Sequence, residues 1–340
     1  MEIFATDELD HRLLHALRLD PRISFARFAA LAGVSEQTVA RRFRRLREHG
    51  VVRVVGMVDS YAAGQSNWMV RIRARPDAAV ALADALAKRP DVGWVSLTSG
   101  GTEILCAVRS QVGYGADGGQ EMLLRRLPHT KEVMDFAAQM VLHRFDERLG
   151  SMGDLTELEP GQAAEIRERS LIRVPEAGGA LPAATLGAQD EPLLTELRLD
   201  GRAPVARLAQ VTGWGPARVQ RRLEELVRSG LLFFDTEMAL ESLGFVTHAT
   251  IWLTVAPADL HRVGLELAEH KEIAYVAAIS GNRNLMGTAT TRDPGHLYRY
   301  VTQALGAIPG VQQLEISPIL RRLKQNGSLM RDGRLLTPVG

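Results

Sequence analysis

Cysteine is nearly absent. Cys106 is the one thiol in 340 residues, which excludes an intrachain disulfide and any cage of cysteine ligands around a metal. Its apolar neighbours assign it to the core of a strand rather than to a nucleophile's position. Long apolar runs are missing too. No stretch approaches the roughly 18–20 residues needed to span a bilayer, and Met1–Asp10 lacks the basic and apolar regions of a signal peptide. The expectation is a cytoplasmic protein without membrane contact. The nine histidines show no ligand spacing, so no metal, cofactor or catalytic residue is expected. Net charge is close to absent as well, at +1. That neutrality hides a local imbalance: Arg41, Arg42, Arg44, Arg45, Arg47 and Arg53 lie in one short stretch against a single acid, Glu48. A confined basic stripe on a neutral chain suits contact with a polyanion.

What is present is written twice. At an offset of 180 residues, positions 10–52 fall on 190–232 without a gap. Asp10, Leu13, Leu14, Arg22, Gly33, Arg41, Arg42 and Gly50 meet Asp190, Leu193, Leu194, Arg202, Gly213, Arg221, Arg222 and Gly230. A period this long marks two copies of a whole domain set, since solenoid repeats run at roughly 20–50 residues.

Within the first copy, Leu9, Leu13, Leu14 and Leu17 form a helical stripe that ends before Asp20-Pro21. Ser24 caps a short second helix that stops at Gly33, and Ser35 caps a third that closes at Gly50. Short helix, glycine turn and longer helix make a helix-turn-helix. On the third helix Val39, Phe43 and Leu46 share one arc. The opposite arc carries Gln37, Arg41, Arg44 and Glu48, flanked by Thr38 and Arg45. Glutamine and arginine there can read base edges, while the remaining arginines hold phosphates. Val51–Val55 reads as a strand, so the motif is expected to be winged.

Leu9-Asp10, Leu13-Leu14, Asp20-Pro21-Arg22, Leu31-Ala32-Gly33-Val34-Ser35, Val39-Ala40-Arg41-Arg42, Leu46 and Gly50-Val51-Val52 together closely resemble the helix-turn-helix of Lrp/AsnC transcriptional regulators. The resemblance implies a double-stranded DNA partner. It also implies a following ferredoxin-like domain that self-associates and often senses an amino acid.

The downstream pattern fits independently. Strand, helix, strand, Gly100-Gly101, strand, a helix near Glu121–Leu127 and a last strand from Lys131 give the order βαββαβ. The second copy runs in parallel from Ala249 to Leu323, at an offset of 181. The fold class expected is α+β, with two winged helix-turn-helix domains (6–58 and 188–237) and two ferredoxin-like domains (66–147 and 247–325) in tandem. A linker with a short helix (148–187) joins the halves, and a flexible tail (326–340) follows.

The DNA-binding residues expected are Ser35, Gln37, Thr38, Arg41, Arg42, Arg44 and Arg45, with Arg218, Arg221 and Arg222 in the second copy. That second helix is chemically weaker, because Glu224 and Glu225 replace Arg44 and Arg45. The family resemblance points to an effector site at Ser99, Gly100, Gly101, Thr102 and Glu103, and at Gly281, Asn282, Arg283 and Asn284. Both turns lack the family's usual aspartate, and a plain hairpin turn explains the same residues. Gly113-x-Gly115-x-x-Gly118 matches a dinucleotide fingerprint, but nothing around it supplies a doubly wound sheet, so it reads as a loop.

Two alternatives accompany the regulator reading. Two-copy proteins of this layout resemble siroheme decarboxylases, whose His-Asn-Tyr-type motif has no counterpart at Gln65-Ser66-Asn67-Trp68 or Val246-Thr247-His248-Ala249. The other is an amino-acid sensor that has lost DNA binding.

Overall fold

The computed structural model describes residues 5–111, 127–145, 158–168 and 184–336. The expected helix near Glu121–Leu127 and the glycine-rich stretch at 113–118 lie outside the described residues, apart from Leu127 at the helix's end.

Three helices open the chain: α1 (Glu8–Leu19), α2 (Phe25–Ala32) and α3 (Glu36–Glu48). Their starts are dictated by side chains that take up otherwise unpaired backbone N–H groups. Asp7 caps α1, Ser24 caps α2 and Ser35 caps α3. At the α2–α3 turn Gly33 sits at φ +68°, a left-handed conformation that glycine adopts without a Cβ penalty. Leu13, Leu14, Leu17, Phe28, Val39 and Leu46 close the core between the helices.

Strand β1 (Val52–Val58) follows, then β2 (Gln65–Ala74), α4 (Ala79–Ala87), β3 (Val92–Thr98), β4 (Glu103–Gln111) and β5 (Val133–Arg144). A helix within the expected linker, α5 (Pro160–Glu168), packs back on the first helical unit. Its Ala163 and Ile166, with Leu158 ahead of it, belong to the same core as Leu13 and Val39. The linker therefore contributes to that domain's core, which its local sequence does not indicate.

The second set begins with α6 (Glu191–Leu199), α7 (Val205–Thr212) and α8 (Pro216–Arg228), then β6 (Leu232–Met238). Next come β7 (Thr247–Val255), α9 (Leu260–Ala268), β8 (Ile273–Ile279), β9 (Leu285–Thr291), α10 (Pro294–Arg299) and β10 (Val311–Gln325). From β7 to β10 the order is the expected βαββαβ. The architecture is α+β.

Two sheets organise the molecule. The strands expected as wings pair with each other: β1 and β6 form a two-stranded antiparallel ribbon, with Val55 opposite Asp235 at its centre. Their backbone groups are satisfied between the helical units instead of in two separate hairpins. The other strands close into a ring in the order β10-β3-β4-β2-β5-β8-β9-β7, and β7 pairs back on β10. Closure depends on two long strands that change partners. Strand β5 pairs with β2 up to Met140 and with β8 from Val141. Strand β10 pairs with β7 up to Pro318 and with β3 from Ile319. Met69, Leu105, Val141, Trp252, Ile279 and Met286 fill the interior between the two halves of the ring.

Within the expected flexible tail, the described residues 326–336 are structured. Residues Ser328–Arg331 (β11) and Arg334–Leu335 (β12) form a hairpin on the end of β10. The cause is a buried polar cluster. Arg53 of β1 lies opposite Glu237 of β6, and Ser328 accepts from the first and donates to the second. The Gly327 N–H also donates to Glu237, at 2.9 Å, and the Leu335 N–H donates to the Gly50 carbonyl. Removing the hairpin would leave a buried arginine and a buried glutamate short of hydrogen-bond partners, which is costly.

Candidate nucleic-acid interface

The amphipathic pattern of α3 is realised as expected, with Val39, Phe43 and Leu46 buried and Gln37, Arg41, Arg44, Arg47 and Glu48 exposed. The Ser35 hydroxyl accepts from the Thr38 N–H at 3.1 Å, and the two hydroxyls lie 2.9 Å apart. Ser35 thus holds the helix start, and Thr38 is anchored beside it.

The arginines of α3 divide into two groups. Arg42 turns back to α1, where its guanidinium donates to Asp7 at 2.6 Å and to the buried Asp10 at 3.0 Å. Its hydrogen bond holds the Asp7 carboxyl below the usual range. Arg45 pairs with the other oxygen of Asp10. These bonds staple the recognition helix to the first helix. Arg42 and Arg45, both expected as DNA contacts, are thus engaged with acids of the helical unit itself. By contrast, no hydrogen bond or ion pair among the described residues engages Arg41 or Arg44. Arg47, absent from the expected set, lies 3.4 Å from Asp200 of the second unit.

The second unit repeats the staple. Arg222 donates to both oxygens of the buried Asp190, at 2.8 and 2.7 Å, and to the Thr185 carbonyl. It too is an internal residue rather than an outward one. Arg218 and Arg221 are exposed on α8, with Arg218 stacked 4.4 Å from the centre of the Trp214 ring. Glu224 and Glu225 are exposed where the first helix has Arg44 and Arg45, and Glu225 is ion-paired with Arg222. The outward faces of α3 and α8 are therefore unequal in charge.

The two units are clamped together. Arg22 donates to the Gly201 carbonyl at 2.8 Å, and Arg202 donates to those of Pro21 and Ile23, both at 2.7 Å. Arg202 also lies over the Phe25 and Phe43 rings, so it braces α3 from behind. Gly201 approaches β1 so closely that a Cβ there would meet the Val55 backbone at 2.8 Å. In the sequence Arg22 and Arg202 stand out only as a matched pair, without a role.

The residues expected for an effector occupy two turns. Ser99–Gly101 forms a tight turn between β3 and β4, with Ser99, Gly100 and Gly101 all at positive φ. Glu103 is buried and committed, accepting from Thr98, Ser99 and Arg71. Thr102 donates to the Ser99 carbonyl within the turn. In the second turn the Asn284 amide bonds both the N–H and the carbonyl of Val255, at 2.9 and 2.8 Å. Arg283 reaches Gln313 at 2.7 Å, and the Asn282 carbonyl accepts from Thr254. Gly281 faces Gln139 of β5, as Gly101 faces Leu320 of β10. Each turn thus sits against a long strand of the other half. Most of the side chains expected to meet a ligand instead fix the turns.

Burial pushes the Cys106 thiol up to about 12, which fits a core thiol. Among the described residues no cluster of histidine, cysteine and acidic side chains is arranged to hold a metal. No helix among them is long and apolar enough to cross a membrane.

Comparison with known proteins agrees with this geometry. Residues 7–47 match the AsnC-type helix-turn-helix domain, and residues 248–329 match the Lrp/AsnC ligand binding domain. An uncharacterized HTH-type transcriptional regulator of Pyrococcus abyssi is 30% identical over 139 residues, 41% of this chain and 87% of that protein. The HTH-type transcriptional regulator FL11 of Pyrococcus horikoshii is 26% identical over 141 residues, 41% of this chain and 93% of that protein. Among solved structures, the siroheme decarboxylase NirDL superposes with a TM-score of 0.62 at 13% identity, over 94% of this chain and 93% of that one. That likeness is one of fold. With both of its characteristic domains matched, and a regulator related over most of that regulator's length, the chain belongs to the Lrp/AsnC family.

Proposed function

We propose that this chain is a sequence-specific DNA-binding transcriptional regulator, built as a tandem pair of helix-turn-helix and ferredoxin-like domains. The observation that carries the reading is the state of α3. Arg41 and Arg44 stand exposed on the face away from the core, while Arg42 and Arg45 hold the helix to α1. Gln37 and Thr38 lie at the same helix's N-terminal end, where base edges are read in this motif. Arg41 and Arg44 then supply base and phosphate contacts. Arg218 and Arg221 of α8 give a weaker second half-site.

The tandem reading rests on the matching order of elements and on the ribbon, where Val55 and Asp235, equivalent positions in the repeat, face each other. Two ferredoxin-like units in one chain close a ring that two separate chains would otherwise have to form. An amino acid or related small molecule at the glycine turns is part of the proposal. The backbone N–H groups of Gly100, Gly101 and Gly281 are its best contacts, since Glu103 and Asn284 are engaged elsewhere. Self-association through the outer faces of the ferredoxin-like units would follow the same family pattern.

Fluorescence anisotropy with labelled DNA from upstream of the chain's own gene, against scrambled DNA, tests the reading. Preference for the upstream sequence supports it. Equal, weak binding to both sequences, together with a Soret shift on adding siroheme, would replace it with the enzyme reading.

A further inference from the structure

A cavity of about 260 Å³ lies between the β1–β6 ribbon and the ring of strands. An apolar cavity of about 150 Å³ already holds benzene, so this one has room for a small organic molecule. Its walls are largely apolar, with Met57 and Phe233 from the ribbon and Met69, Leu105, Val141 and Met286 from the strands. Neither helix face nor glycine turn contributes to it.

Three arginines line this cavity, and they differ in how they are satisfied. Arg144 pairs with Asp59 at 3.2 Å, and Arg109 donates to the Pro90 carbonyl at 2.8 Å. Arg322 is only 6% exposed, and its Nε has no hydrogen-bond partner among the described residues. One of its terminal nitrogens donates to Gln325 at 3.2 Å, and its guanidinium lies 4.7 Å from the centre of the Trp94 ring. Glu241 is the carboxylate that acts on it electrostatically, but no carboxylate among the described residues comes within ion-pair distance of it. A buried guanidinium without a paired anion is costly. In a binding site, that deficit is what a ligand's anionic group relieves.

We propose that this cavity is a binding site for a small organic anion, an aryl or medium-chain carboxylate whose apolar body packs on Met57, Met69, Leu105 and Met286 while its carboxylate pairs with Arg322. Thr288 of β9 lines the same space and offers a hydroxyl to such a group, while the Thr290 hydroxyl is engaged with His248. The site is separate from the glycine turns, and it abuts the ribbon that joins the two helical units. Its occupancy is independent of the DNA-binding reading, because ligand binding is measured without DNA.

Calorimetric titration of the full chain with 3-phenylpropionate and octanoate, each beside its neutral amide, tests the proposal. The expected result is one bound carboxylate per chain, with the amide bound at least about tenfold more weakly. R322Q should lose about tenfold or more in carboxylate affinity, whereas R75Q, altered at an exposed arginine that does not line the cavity, should bind as the unmodified chain does. An amide bound as tightly as its acid, R322Q binding like the unmodified chain, or no binding of either acid at millimolar concentration would overturn it. If R322Q fails to fold, as judged by thermal unfolding, the acid-against-amide comparison on the unmodified chain still decides.

Discussion

Arg22 and Arg202 reach across the junction between the helical units in opposite directions and make equivalent bonds. Arg22 donates to the carbonyl of Gly201, and Arg202 to that of Pro21. Each also covers an aromatic ring of the opposite unit, Phe234 for Arg22 and Phe25 for Arg202. Burial pushes the Arg202 guanidinium down to about 10, so it remains charged at neutral pH. The clamp is therefore a pair of charge-assisted hydrogen bonds in partly desolvated surroundings. Arg202→Ala would orphan two carbonyls and remove the brace behind α3. Its expected cost is about 2–4 kcal/mol, read as a fall in the thermal midpoint. A midpoint equal to that of the unmodified chain would show the junction to be incidental.

The division among the α3 arginines gives a second expectation. Arg42→Ala removes the arginine paired with Asp7 and one of the two paired with the buried Asp10, and should lower stability by about 1–3 kcal/mol. Arg41→Ala should leave the thermal midpoint unchanged and weaken DNA binding. Circular dichroism melts and DNA titrations on the two variants separate the roles. Both variants losing DNA affinity with unchanged melts would return Arg42 to the outward face.

Inequality of the two recognition helices is a third. Arg41→Ala should weaken DNA binding more than Arg221→Ala, because the exposed Glu224 and Glu225 of α8 disfavour phosphates at its own half-site. Equal losses for the two variants would remove the asymmetry.

The C-terminal hairpin supplies a fourth. Ser328→Ala withdraws an acceptor from Arg53 and a donor from Glu237, both buried. A loss of about 1–3 kcal/mol is expected in denaturant unfolding. Proteolysis should begin at the freed hairpin. A variant as stable and as protease-resistant as the unmodified chain would mean the hairpin is not held by this cluster.

pH dependence gives the last. Burial depresses His15 to about 4 and His248 to about 3, against 6.5 unfolded. The folded chain therefore binds fewer protons than the unfolded one between those values. Stability from these groups is fully present above about pH 6.5 and is lost as pH falls toward 4. His15→Leu should flatten the acid limb of a stability-against-pH profile. An unchanged limb would mean that His15 takes up its proton without cost in the fold.

Much of this architecture is legible in the sequence because it is local. Ser24 and Ser35 cap where their spacing predicts, Gly33 turns where a positive φ is needed, and the βαββαβ strands follow their apolar patterns. What stays hidden depends on partners far along the chain. Arg42 looks like its neighbours in the sequence, and only the fold brings Asp10 of another helix to it. A signal for that pairing does exist, since Asp10 with Arg42 and Asp190 with Arg222 keep the same spacing in both copies. Glu103 reads as a ligand residue because its partner Arg71 lies on another strand. The partner changes along β5 and β10 leave no mark in their own residues, because register there is set by strands of the other half. Nothing near Arg322 distinguishes it from any strand arginine, since the cavity it lines is assembled from both halves.

The most direct measurement is DNA affinity across a salt series for the unmodified chain and for a variant carrying both Arg41→Ala and Arg44→Ala. The account predicts a steep decline of affinity with salt for the unmodified chain. The variant's slope should be shallower by about 0.9 for each phosphate it no longer neutralises, with an unchanged thermal midpoint. Identical slopes for the two proteins would contradict it, because the exposed arginines of α3 would then neutralise none of the DNA phosphates.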